Sequence, residues 1–186
     1  MTKIITAPLD KATIIKLKAG DEVLLSGVIY TSRDAGHKRM IEQMEKGEAL
    51  PFNIKDAIIY YVGPSPKKPG EIIGSAGPTT SYRMDAYTPK LLDSGLSGMI
   101  GKGDRNDIVI QSIIKNKAVY FAAVGGAAAL IADKIVSSEI IAYDDLGTEA
   151  LRRLIVKDFP CIVVIDHEGR NLYKSEKEKY KVTNRQ

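Results

Sequence analysis

The stretch Ile72-Ile73-Gly74-Ser75-Ala76-Gly77-Pro78-Thr79-Thr80-Ser81-Tyr82-Arg83-Met84-Asp85 passes from an apolar pair, through glycines and a proline, to three consecutive hydroxyls and an arginine. A helical pattern then runs from Met84 to Leu92. The reading is a strand at Glu71 to Gly74, a tight loop, and a helix from Asp85 to Ser94 closed by Gly95. Glycines let backbone pass close to a bound group. Hydroxyls and free N–H groups at a helix start suit an anion. Arg83 adds a planar fork that matches a carboxylate or a phosphate. The plainer alternative is an ordinary βα loop with Ser81 as the helix N-cap. Three hydroxyls and an arginine exceed what a cap needs, so the loop reads as a binding site.

The same logic extends outward. Glu22 to Ser32 reads as a strand running into Arg33-Asp34-Ala35-Gly36-His37. His37, Met40, Ile41 and Met44 then share one helix face, bounded by Gly47 and Pro51. Ala57 to Val62 is a second strand, followed by the stiff proline-rich loop Gly63 to Gly70. Ser97 to Ile100, Val119 to Val124, Glu139 to Tyr143 and Ile162 to Ile165 read as strands, with a last short one at Asn171 to Tyr173. Helical patterns cover Ile108 to Lys115 and Ala127 to Ile135, and a short helix starts at Thr148 to Leu151. After about residue 55 strands alternate with helices, which predicts an α/β layered fold.

Composition narrows the function classes. The 186 residues suit one domain over residues 1–174, with a basic tail at 175–186. Between Lys174 and Gln186 lie five basic and two acidic residues, so most of the net charge of +4 sits there. Such a tail can touch RNA, but the body has no basic stripe with interleaved aromatics, which argues against nucleic-acid binding. The most apolar run, Gly125 to Ile131, is ended by Asp133 and Lys134, so no membrane span is expected. Met1 to Ile5 begins no signal peptide, and a cytoplasmic setting is expected. One cysteine forms no intrachain disulfide. One cysteine and two histidines also hold neither an iron–sulfur cluster nor a histidine-rich metal site, so no metal ligand is assigned to this chain.

Three loops share one character: Ser32-Arg33 with His37, Thr79 to Arg83, and Gly101-Lys102-Gly103. Each follows a strand and places a cation near glycines or hydroxyls. Strand C-terminal ends gather ligand sites in α/β sheets, so the three predict one converging anion site, well suited to a dicarboxylate. The G-x-x-x-x-G-K-[S/T] phosphate loop fails, because Leu96 replaces its first glycine and Gly103 its hydroxyl residue. Gly125-Gly126 lacks dinucleotide spacing and reads as a tight turn. His37 fits a core histidine as well as a site residue, and Asp34 fits a helix cap as well as chemistry. Cys161 reads as a buried strand residue, and Asp144-Asp145 as a solvated turn.

Arg33-Asp34-Ala35-Gly36-His37-Lys38-Arg39, Tyr61-Val62-Gly63-Pro64, Gly74 to Asp85 and Ile100-Gly101-Lys102-Gly103 together resemble the β subunit of class I fumarate hydratase, or the C-terminal domain of the single-chain enzymes. The likeness continues through Gly125-Gly126-Ala127-Ala128, Asp145-Leu146-Gly147-x-Glu149-Ala150, Asp158-Phe159-Pro160 and Asp166-x-x-Gly169-x-Asn171-Leu172, nearly the whole chain in order. L(+)-tartrate dehydratase β subunits share most of these motifs. The family usually has alanine at the place of Gly36.

The resemblance implies a swivelling β/β/α domain, with mixed sheets and flanking helices. It implies a [4Fe-4S] cluster held by three cysteines of a partner α subunit, in an αβ or α2β2 heteromer. It implies hydration of fumarate to (S)-malate and the reverse. Arg33 and Arg83 would hold the substrate carboxylates with Lys102 nearby, Thr79 would take the C3 proton, and Ser81 and His37 would be site neighbours. The alternatives are a tartrate dehydratase β subunit and a carboxylate-binding module without catalysis.

Overall fold

The computed structural model describes residues 2–123 and 128–176. Regular elements among the described residues include, in order, β1 (Lys3–Ala7), α1 (Lys11–Ile14), β2 (Glu22–Thr31), α2 (Asp34–Glu45), β3 (Ile58–Tyr60), α3 (Thr88–Asp93), β4 (Gly98–Gly101), α4 (Asp107–Asn116), β5 (Val119–Ala123), α5 (Ala128–Ala132), β6 (Ile135–Ala142) and β7 (Leu151–Ile165). Two 3₁₀ turns, Ser81–Met84 and Asp144–Glu149, carry connections.

The mixed α/β expectation holds. β2, β3, β4 and β5 pair in parallel, and β7 runs antiparallel to both β5 and β2. Five strands therefore close on themselves like a barrel, which removes the open edges between them. β1 lies parallel beside the first half of β2, and β6 lies antiparallel beside the first half of β7.

Side-chain alternation divides the core in two. Leu25, Ile29, Ile58, Tyr60, Ile100, Phe121 and Val163 belong to one buried cluster with the β1 and α1 residues. Their neighbours Ile59, Tyr61, Met99 and Tyr120 pack with Met40 of α2, Leu91 and Leu92 of α3, and Val109 and Ile113 of α4. Ile59 and Tyr60 are both fully buried, so β3 is covered on both faces.

Local chemistry sets the helix ends. Asn106 caps α4 by accepting from the Val109 N–H at 2.9 Å. α2 has no side-chain cap from its own N-cap residue, Arg33. The Glu149 carboxylate instead accepts the Ala35 N–H at 3.0 Å from far along the chain.

Several local expectations are corrected. Glu71 to Gly74 is not a strand: Ile72 is exposed, and the segment is folded back by a Ser65 N–H bond to the Ser75 carbonyl. Two isoleucines are too few to hold a ladder against that turn. Of the helix expected from Asp85 to Ser94 only α3, Thr88–Asp93, forms, with Pro89 near its start, and the 3₁₀ turn Ser81–Met84 precedes it. Ser81 caps nothing; its hydroxyl bonds Tyr120 instead. The helix expected at Thr148 to Leu151 gives way to a 3₁₀ turn and the start of β7. Ile162 to Ile165 is only the end of that 15-residue strand. The strand at Glu139 begins earlier, at Ile135, and the expected strand at Asn171 reduces to one bridge with Ile165. Val124 and the turn at Gly125-Gly126, with Ala127, fall outside the described residues, as does the tail from residue 177.

Candidate active site

The three cationic loops meet at the C-terminal ends of β2, β3 and β4. Thr79 N–H donates to the Tyr61 carbonyl at 2.7 Å, just past β3. Thr80 bridges Lys102, and Ser81 N–H donates to the Lys102 carbonyl at 2.9 Å. Arg83 Nε donates to Asp34 Oδ1 at 2.9 Å, which joins the central loop to the start of α2. Gly63 lets Arg33 lie along the chain: a Cβ there would stand 2.7 Å from Arg33 Nη1.

The charges are only partly compensated. Arg33 Nε lies 3.3 Å from Glu149 Oε1 without making a hydrogen bond. Arg83 uses Nε on Asp34 and leaves the outer edge of its fork open, with its side chain 43% exposed. Asp34 Oδ2 is buried without a partner. Lys102 is exposed, and its amine makes no ion pair among the described residues. The half-buried Thr79 side chain makes no hydrogen bond among them either. The loops that carry two guanidiniums, an amine and a hydroxyl are thus joined to one another by Thr79–Tyr61, Thr80–Lys102 and Arg83–Asp34 contacts.

Ser81 and His37 lie beneath this place rather than on it. Ser81 is fully buried and shares a 2.8 Å hydrogen bond with the Tyr120 hydroxyl, which donates to the Gly103 carbonyl at 2.7 Å. His37 is also fully buried. Its Nδ1 lies 3.0 Å from the Arg33 carbonyl and 2.8 Å from Ser32 Oγ, while Nε2 has no partner. Burial pushes its pKa down to about 4, against the smaller upward pull of the Arg33 carbonyl, so the ring is neutral at pH 7. Asp34 does not cap α2; it stands in the first turn and holds Arg83.

Two further groups have roles that the sequence pattern does not reveal. Glu149 reaches from the 3₁₀ turn Asp144–Glu149 to both Arg33 and the α2 N-terminus. Arg105 is buried under the central loop and pairs with Asp85 at 2.6 Å. Neither role has a local signal, because each depends on a partner distant in sequence. Asp145, read as a solvated turn, makes a two-pronged pair with Arg39 at 2.6 and 2.8 Å that fastens that turn to α2.

The model of the fumarase C-terminus matches residues 3–176. This chain belongs to that family. Over 152 residues, 81% of this fumarase C-terminus chain, it is 40% identical to the aerobic class I fumarate hydratase of Escherichia coli strain K12. It is 36% identical over 170 residues to fumarate hydratase 2 of Leishmania major, covering 89% of this chain. Over 177 residues, 92% of this chain, it is 37% identical to a provisionally named L(+)-tartrate dehydratase subunit beta of Methanocaldococcus jannaschii. The chain spans 28% and 30% of the two fumarate hydratases but 91% of the M. jannaschii protein.

Class I fumarate hydratases in this family imply an iron–sulfur cluster, and the residues of this fumarase C-terminus chain do not fit one. Among the described residues no group of three or more His, Cys, Asp or Glu side chains is placed to hold a metal ion. Cys161 is buried inside the barrel, where desolvation raises its thiol pKa far above the ordinary value. A thiol kept protonated there is a poor cluster ligand.

Proposed function

We propose that this chain is the β subunit of a heteromeric hydro-lyase that interconverts (S)-malate and fumarate plus water. The observation that supports the reading is that the loops bearing Arg33, Thr79, Arg83 and Lys102 adjoin one another past the C-terminal ends of β2, β3 and β4. In this reading Arg33 and Arg83 each take a substrate carboxylate, and Lys102 adds a third positive charge beside them. Holding both ends of a four-carbon acid fixes which C3 hydrogen faces Thr79. The Thr79 oxygen removes that proton. Threonine is a weak base, so a partner carboxylate must draw its own proton away. Ser81 and His37 support these groups from below, through Tyr120 and the Arg33 carbonyl.

The [4Fe-4S] cluster and its ligands belong to a partner α subunit in this reading, in an αβ or α2β2 assembly. The M. jannaschii relative supports it, because its name is that of a subunit beta. The family likeness also supports a domain that swivels against that partner, and a cytoplasmic setting goes with a lone, unpaired cysteine. Among the described residues no helix is long and apolar enough to cross a membrane.

The M. jannaschii relative supports a second reading, a tartrate dehydratase β subunit with the same chemistry on a different acid. The test is a steady-state assay of the chain co-purified with its cluster-bearing partner. Malate and fumarate turnover well above tartrate turnover is expected. A preference for L-tartrate moves the assignment to the second reading. Binding of both acids with turnover of neither leaves a carboxylate-binding module.

A further inference from the structure

We infer that Arg105 is a positioning residue for the site, holding Arg83 and Lys102 at a fixed separation; this rests on the reading in which those two side chains bind the substrate. The Arg105 side chain is fully buried and cannot reach a ligand. Its bonds all run to the scaffold beneath the central loop. Nε donates to Asp85 Oδ1 at 2.6 Å, and Nη2 donates to Thr88 Oγ1 at 2.8 Å. Thr88 Oγ1 in turn donates to the Met84 carbonyl at 2.8 Å. The guanidinium lies between the rings of Tyr61 and Tyr120, 5.4 and 5.1 Å from their centroids.

The network ties two short segments together. Asp85 Oδ2 accepts the Asn106 N–H at 2.8 Å, so one carboxylate grips both Arg105 and the residue after it. Tyr120 adds a second clamp, from the Ser81 hydroxyl to the Gly103 carbonyl. Arg83 stands two residues before Asp85, and Lys102 three residues before Arg105. Both exposed cations are thus mounted on a backbone whose register the buried network sets. A dry ion pair contributes little net stability compared with apolar residues of the same volume, so stability is a weak reason for placing one here. Its directed bonds fix geometry, and small displacements of binding groups cost rate steeply.

Two variants test this in the assembled enzyme. Arg105→Lys keeps the charge but cannot hold Asp85 and Thr88 together. Tyr120→Phe keeps the ring and cuts the Ser81–Gly103 clamp without stranding a charge, so it reads out even if the lysine variant fails to fold. The expected result is a fall of tenfold or more in kcat/KM for malate, well below each variant's melting midpoint. In an Arg83→Ala, Lys102→Ala background the same changes should add less than threefold, because their effect runs through those two cations. Amide hydrogen exchange should rise in residues 79–88 and 102–106 and stay unchanged in β7. Values of kcat/KM within twofold of wild type in both variants, or an undiminished loss in the doubly substituted background, would overturn the inference. If the wild-type assembly turns over neither malate nor tartrate, the functional reading fails on its own. The exchange data then decide: faster exchange confined to the two segments supports positioning, and unchanged exchange refutes it.

Discussion

Arg83 makes the sharpest claim at the scale of a single side chain. One edge of its guanidinium holds Asp34, and in the hydro-lyase reading the other takes a substrate carboxylate. A lysine can do one of these but not both. Arg83→Lys is expected to lower kcat/KM by about 10²-fold or more, the usual effect of losing one electrostatic donor to a transition state. Unchanged kinetics would remove Arg83 from the site. Thr79→Val keeps the shape and deletes the hydroxyl, so it separates a base from a packing residue: near-complete loss of kcat with the protein still folded is expected. His37 makes a different claim, about pH. Its folded pKa is depressed to about 4 from 6.5 because the ring is buried. Between those values the unfolded chain binds more protons than the folded one. The stabilising contribution is therefore complete above pH 6.5 and is lost as pH falls toward 4, a change of about 3 kcal/mol. His37→Asn can keep a donor near the Arg33 carbonyl and has no such titration. Denaturant midpoints measured from pH 7 to 4 should slope steeply in the wild type and flatten in the variant. The desolvation of the Asp166 carboxylate is outweighed by Arg170 and three backbone N–H groups, which hold it below its ordinary value of 3.8, so its stabilising contribution is complete above that pH and is lost only as pH falls further.

Single glycines decide how the loops seat on the strands. At Gly101, the last residue of β4, a Cβ would stand 2.0 Å from Ser81 Oγ and 2.9 Å from the Tyr61 ring. Ser81 is tied to Tyr120 and cannot yield. Gly101→Ala should cost about 1–3 kcal/mol by overpacking, seen as a drop of several degrees in Tm. At Gly63 the added Cβ meets the movable end of Arg33 instead. Gly63→Ala should leave Tm nearly unchanged and raise KM, a contrast that thermal melts and kinetics measure directly. β2 and β3 were legible in the sequence because their pattern is local: alternation, then a loop with a cation. β7 was not, because Arg152, Arg153, Asp158 and Pro160 interrupt its apolar pattern. It is held by β2 along one edge, and by β6 and then β5 along the other. Asp158 turns to positive φ, and its N–H bonds Ser26 Oγ in place of a ladder partner. The site divides the same way. Arg33, Arg83 and Lys102 stand in loops that follow strands or glycine turns, a local cue. Glu149, Arg105 and Asp85 act through distant partners, and burial of an arginine leaves no mark in composition.

At the scale of the whole molecule, no group of side chains among the described residues is placed to hold a metal ion. The barrel interior is filled by apolar side chains, and its one thiol is sealed there, 2% exposed. The sequence holds two imidazoles besides that thiol. His37 is buried with a neutral ring, and His167 stands beside Glu168 with no third ligand among the described residues. A cubane cluster draws on three or four thiolates. In the hydro-lyase reading those must come from a second polypeptide, with the mouth carrying Arg33, Thr79, Arg83 and Lys102 turned toward it. The chain purified alone should then be colourless, bind dicarboxylates weakly through its arginines, and turn over neither malate nor fumarate. Co-purified with a cysteine-containing partner, the pair should be brown and active, and air should bleach the colour and the activity together. Arg83→Lys in that pair should keep the brown colour while losing turnover, because the arginine serves the substrate and not the cluster. A colourless preparation of this chain alone that hydrates fumarate would overturn the division of labour between the two polypeptides. A brown pair whose colour disappears with Arg83→Lys would place that arginine in the cluster's own surroundings.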